Sequence, residues 1–136
     1  MIRDIKDDVK KVLYSEEQLA KRVKEIAEEI SKDYAGKDLL VVGILKGSVL
    51  FTSDLIKNIT IPCEIDFMAV SSYGNSAQTS GVVRILKDLD SDIENKHVLI
   101  VEDIVDTGTT LSYLLEYLKA RKAASIEIVA LLDKEA

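Results

Sequence analysis

The sequence predicts an α/β fold, a mostly parallel sheet flanked by helices. Three observations predict it. From residue 39 onward, strand-like and helix-like segments alternate. The run Leu39–Leu45 is continuously apolar and rich in valine, the pattern of a strand covered on both faces. At 136 residues, 47% hydrophobic and 31% charged, the chain has the composition of a globular protein with a real core, not of a disordered one. A single domain over residues 1–136 is expected.

The elements follow in order. Residues 9–14 could form a short lead-in strand. Ser15-Glu16-Glu17-Gln18 reads as a capping box, with Ser15 capping and Gln18 reaching back. Leu19, Val23, Ile26, Ala27, Ile30 and Tyr34 follow at helical spacing, and Gly36 is a plausible stop. The Lys/Glu residues of that helix are a solvated face. After the strand at 39–45, Lys46-Gly47-Ser48 breaks the pattern. A helix over 48–57 presents Val49, Leu50, Leu55 and Ile56. Residues 63–71 form a second strand, and 72–81 a polar loop with almost nothing to bury, expected to be mobile. Residues 82–86 return as a strand, and 88–95 are acidic and connective. A buried strand begins at 97–100, a helix over 109–121 turns Leu111, Leu114, Leu115 and Leu118 inward, and 126–132 is the last strand.

Several function classes are excluded. No apolar run is long enough to span a bilayer, and Met1-Ile2-Arg3-Asp4 opens on charges without a signal core. Cys63 is the only cysteine, so no internal disulfide forms, which fits a reducing cytoplasm. Following Pro62 in an expected strand, it reads as a buried structural thiol. His97 is also alone, which rules out a His/Cys metal cluster or a histidine triad. The net charge of −6 argues against a nucleic-acid surface. A phosphate-rich substrate would have to be held by local devices: backbone N–H groups, a few lysines and a metal.

The segment from His97 to Thr110 carries the chemistry. An apolar strand delivers Glu102, Asp103 and Asp106 to its carboxyl end, and Thr107-Gly108-Thr109-Thr110 turns into a helix. Ligands of open α/β sheets bind at that edge. The turn offers N–H groups at a helix N-terminus, hydroxyls beside them and a glycine that permits close approach, which together make a monophosphate cradle. The adjacent carboxylates Glu102 and Asp103 can accept hydrogen bonds from sugar hydroxyls, or reach Mg²⁺ directly or through water. Asp106 can act as a base. A strand followed only by Asp-x-Gly would fit an ordinary N-cap behind acidic loop residues better than a ligand site.

The complete string Val101-Glu102-Asp103-Ile104-Val105-Asp106-Thr107-Gly108-Thr109-Thr110 resembles the phosphoribosyl pyrophosphate signature of type I phosphoribosyltransferases. Three further segments match in order. Leu45-Lys46-Gly47-Ser48 resembles the family's pyrophosphate loop. Asp66-Phe67-Met68-Ala69-Val70-Ser71-Ser72-Tyr73-Gly74 resembles the strand and lid of its hypoxanthine-guanine branch. Leu131-Leu132-Asp133-Lys134 resembles the strand end that recognises the purine. The resemblance covers essentially the whole chain.

The resemblance implies a role for each matching residue. Glu102 and Asp103 bind the ribose hydroxyls and help position Mg²⁺. Asp106 accepts the proton at purine N7. Thr107, Gly108, Thr109 and Thr110 hold the 5′-phosphate. Lys46 and Gly47 receive pyrophosphate, with a cis peptide bond between them. Ser72 and Tyr73 close as a lid, and Lys134 donates to the purine O6, which rejects adenine. The implied reaction joins hypoxanthine or guanine to phosphoribosyl pyrophosphate, giving IMP or GMP and pyrophosphate, in a cytoplasmic homodimer or homotetramer without nucleic-acid or membrane partners. The order among hypoxanthine, guanine and xanthine is not encoded legibly. The family continues for several tens of residues, through a segment resembling Phe-Val-Val-Gly-Tyr-x-Leu-Asp-Tyr. The expected architecture is therefore the type I core without most of the C-terminal hood, with reduced activity of these 136 residues alone. A non-catalytic module that binds phosphoribosyl pyrophosphate is the competing reading. The 66–74 segment and Lys134 favour the enzyme, because a phosphate binder needs neither.

Overall fold

A computed structural model describes residues 15–72, 83–105 and 109–133. Eight elements follow one another: α1 (Glu16–Asp33), β1 (Leu39–Leu45), α2 (Val49–Asn58), β2 (Glu64–Ser72), β3 (Val83–Lys87), β4 (His97–Val105), α3 (Thr109–Lys119) and β5 (Ser125–Asp133). The expected lead-in strand at 9–14 lies outside the described residues, as does the loop beyond Ser72 up to residue 82.

The capping box forms as its residue types dictate. Ser15 Oγ accepts the Gln18 amide at 3.1 Å, and Gln18 Oε1 accepts the Ser15 amide at 2.8 Å. Helix α1 buries Val23, Ile26, Ala27 and Ile30 along one stripe. It ends where Gly36 takes φ +77°, a left-handed turn that side chains rarely adopt.

The five strands lie in the order β3-β2-β1-β4-β5. The contacts β1–β2, β1–β4 and β4–β5 are parallel, and only β2–β3 is antiparallel. Strand alternation splits the apolar runs between two cores. Leu39, Val41, Leu99 and Val101 join Val23, Ile26 and Ile30 of α1 and Phe51 and Leu55 of α2 on one face. Leu40, Val42, Ile44, Val98 and Ile100 join Met68 and Leu111, Leu114 and Leu118 of α3 on the other. This two-sided burial is why β1 reads as continuously apolar. Leu115 packs against the second core as a half-buried residue.

Three expectations change. Helix α2 buries Phe51, Thr52 and Leu55, while Val49 is 37% and Leu50 78% exposed. The turn at 46–48 starts the helix with its 51/52/55 stripe toward the sheet, which rotates Val49 and Leu50 outward. Cys63 lies just before β2 and is half-buried; burial raises its thiol pKa. The acidic connection after β3 does more than connect. Leu89 and Ile93 are buried in the second core, and Asp88 accepts from Arg121 at 2.9 Å and from the Tyr117 hydroxyl. Among the described residues, no helix is long and apolar enough to cross a membrane.

Candidate active site at the carboxyl edge of the sheet

The parallel strands β1, β2, β4 and β5 end on one edge, at Leu45, Ser72, Val105 and Asp133. Those of the sequence-nominated residues that are described gather there because each follows or closes a strand. Lys46 and Gly47 leave β1 exposed to solvent. Glu102 and Asp103 are the last described side chains of β4, and α3 opens at Thr109 and Thr110, whose backbone alone is described. Asp106, Thr107, Gly108, Tyr73 and Lys134 lie outside the described residues, and the backbone of Ser72 closes β2.

The fold brings the β1 turn against the acidic pair. A Cβ added to Gly47 would stand 3.0 Å from Asp103 Oδ2 and 3.3 Å from Oδ1. Glycine is what this close approach requires. The cis peptide that the resemblance places between Lys46 and Gly47 lies one bond earlier, between Leu45 and Lys46.

The electrostatics follow from adjacency. Burial, then a side-chain hydrogen bond with Asp103 and the repulsion of its charge, push Glu102 up to about 7. The Asp103 amide donates to Glu102 Oε1 at 3.1 Å and works in the opposite direction. Two carboxylates held this way are hard oxygen donors side by side. Among the described residues, no group of three or more His, Cys, Asp or Glu could hold a metal. The pair nevertheless fits Mg²⁺, which takes one or two protein carboxylates and completes its shell with water and substrate phosphate.

An open cleft of about 550 Å³ runs from Gly47 and Asp103 between α1 and α2, past Leu19, Val23, Leu50 and Phe51. Sequence reasoning assigned no role to Leu50, whose outward turn makes it a wall of this cleft. Ser48 stood in the loop-like segment 45–48 without a role of its own, and Thr52 was passed over; both are fully buried beneath the Lys46–Gly47 turn. The signal for the pair was two hydroxyl residues four apart, which many helices show.

Comparison with known proteins matches residues 10–136 to the phosphoribosyl transferase domain model. A hypoxanthine-guanine phosphoribosyltransferase of Bacillus subtilis is 53% identical over 130 residues, covering 96% of this chain and 72% of that protein. Its counterpart in Staphylococcus aureus is 55% identical over 128 residues, covering 94% of this chain and 72% of that one. The crystal structure of a hypoxanthine phosphoribosyltransferase from Staphylococcus aureus superimposes with a TM-score of 0.89 at 51% identity, covering 98% of this chain and 73% of that one.

Proposed function

The chain belongs to the phosphoribosyltransferase family, and on that premise we propose that it is a purine-salvage enzyme moving the 5-phosphoribosyl group of phosphoribosyl pyrophosphate to N9 of hypoxanthine or guanine. The products are IMP or GMP and pyrophosphate. One observation carries the reading: Gly47 of the β1 turn stands against Asp103, beside Glu102, at the strand end that leads into α3. In this reading the β1 turn serves as the pyrophosphate loop, the acidic pair binds the ribose and the start of α3 takes the 5′-phosphate. The purine identity is supported by the named relatives at about half identity.

In this mechanism the N-terminus of α3, with residues 106–110, holds the 5′-phosphate through N–H groups and hydroxyls. Glu102 and Asp103 accept hydrogen bonds from the two ribose hydroxyls and fix the sugar for in-line displacement at C1. Lys46 and Gly47 receive the departing pyrophosphate. Asp106 accepts the N7 proton as the N9 bond forms. Lys134 donates to O6, and Ser72 and Tyr73 close over the sugar to exclude water. Mg²⁺, held by Glu102 and Asp103 directly or through water and ribose hydroxyls, would neutralise pyrophosphate charge.

Residues 1–136 act as one domain in this reading. A homodimer or homotetramer is the assembly this reading takes from the family resemblance. Cytoplasmic residence accords with a single cysteine. The test is incubation with phosphoribosyl pyrophosphate, Mg²⁺ and each of hypoxanthine, guanine, xanthine and adenine. IMP and GMP are expected, and AMP is not. Formation of AMP alone, or of no nucleotide with any purine, would refute the proposal.

A further inference from the structure

The Lys46–Gly47 turn rests on a buried hydroxyl whose hydrogen bond runs backward. Ser48 occupies the N-cap position of α2, where a serine ordinarily accepts an amide from the first turn of its helix. Its side chain makes no such cap bond. Instead Ser48 Oγ, fully buried, donates to the Ile44 carbonyl at 2.7 Å, and the Ser48 amide donates to the same carbonyl at 3.3 Å. One residue therefore closes the turn from both its backbone and its side chain, with Leu45, Lys46 and Gly47 between.

The surroundings keep that hydroxyl in place. Thr52, also fully buried, turns Oγ1 toward Ser48 Oγ at 3.5 Å, and its amide donates to the Ser48 carbonyl at 2.8 Å. Helix α2 approaches β1 this closely because residue 43 is glycine; a Cβ there would stand 2.7 Å from Thr52 Oγ1 and 2.7 Å from the Phe67 ring. The turn is held by donors from the amides of Ser48, Val49 and Thr52 and from the two hydroxyls.

We propose that Ser48 is a positioning residue for the pyrophosphate end of the donor. Its buried hydroxyl holds Lys46 and Gly47 at the distance from Asp103 at which the loop accepts pyrophosphate. This rests on the reading of Lys46 and Gly47 as the pyrophosphate loop. Ser48→Ala leaves the Ser48 amide bond to Ile44 intact, so the strand and helix stay joined while the turn loosens. The effect that marks positioning is a loss of pyrophosphate affinity that GMP affinity does not share.

The test is calorimetric titration of the whole chain with inorganic pyrophosphate in excess Mg²⁺, and separately with GMP, which carries only the 5′-phosphate. The variants are Ser48→Ala, Ser48→Thr and Gly47→Ala, with melting temperatures measured beside them. Ser48→Ala is expected to weaken pyrophosphate roughly three- to tenfold, the worth of about one hydrogen bond, with GMP affinity within twofold of the parent. Ser48→Thr, which restores the hydroxyl, is expected to recover most of the loss. If Ser48→Ala does not fold, Ser48→Cys, similar in size with a weak donor, is read in its place, and unchanged pyrophosphate affinity there overturns the proposal. A loss with Gly47→Ala but none with Ser48→Ala overturns the role of Ser48 and leaves the loop reading standing. Equal losses for pyrophosphate and GMP, with a lowered melting temperature, reduce Ser48 to a structural residue. No pyrophosphate binding by the parent, or no effect of any of the three variants, removes the loop reading and the proposal with it.

Discussion

Glu102 is a carboxylate that burial and its neighbour Asp103 push up to about 7. Its proton is therefore held more tightly in the folded chain than in the unfolded one, whose glutamate titrates near its ordinary value. Stability is then highest below that ordinary value, falls as pH rises toward 7, and levels off above it. Glu102→Gln removes the ionisable group. We expect the ligand-free variant to melt higher than the parent at pH 8 and equally at pH 4, by scanning calorimetry; a variant less stable at pH 8 would contradict this. Asp106, the proposed base, has a kinetic signature. Asp106→Asn keeps the size of the side chain but removes the proton acceptor. Turnover should fall on the order of 10²–10⁴-fold with little change in sugar-phosphate binding, and near-parental turnover would place the base elsewhere. The acidic pair at the end of β4 was legible in the sequence because it closes a contiguous apolar run. The Gly47–Asp103 approach was not, since it depends on residues brought together by strands β1 and β4; nor was the Ser48 hydroxyl, whose partners Ile44 and Thr52 are near in sequence but whose bond runs back to the strand instead of capping the helix.

The elements themselves stand within a residue or two of where periodicity and punctuation place them, because each strand is bounded by a turn and α1 carries its own capping box. Which side a short helix buries is harder to read. Helix α2 holds several apolar residues in ten, so its pattern does not single out a stripe, and the turn before it decides. The acidic connection after β3 was misread for a related reason: its carboxylates find partners far away in sequence. Asp66 on β2 is nearly buried, and burial alone would raise its pKa. The amides of Asp90 and Phe67, at 2.8 and 2.7 Å, and Lys87 at 3.3 Å outweigh burial and bring it below the ordinary carboxylate value. A depressed pKa contributes stability above the unfolded value that is lost as pH falls through the folded one. Asp66→Asn should thus cost about 1–3 kcal/mol at pH 7, by chemical denaturation, with the difference from the parent narrowing below about pH 4, near the model-peptide value. A constant difference across that range would show that packing, not charge, is lost.

Across the whole molecule, two apolar cores clamp one sheet and leave its carboxyl edge to the polar residues. Gly43 sits where the first core is tightest. Gly43→Ala would press a methyl group onto Phe67 and Thr52 and should destabilise the chain by about 1–3 kcal/mol, measured by denaturant titration; a neutral result would mean that α2 shifts without cost. The fold class was readable from alternation and two-sided burial, and the site's location followed from the rule that such sheets bind ligands at their carboxyl edge. The chain spans 72% of the length of the Bacillus subtilis relative it matches. On the proposed mechanism the phosphoribosyl group is held where β4 gives way to α3. In a crystal structure of the chain with GMP, the 5′-phosphate is expected against residues 106–110 and the ribose hydroxyls on Glu102 and Asp103; a phosphate seated elsewhere, such as the cleft between α1 and α2 beside Leu50, would overturn the proposal.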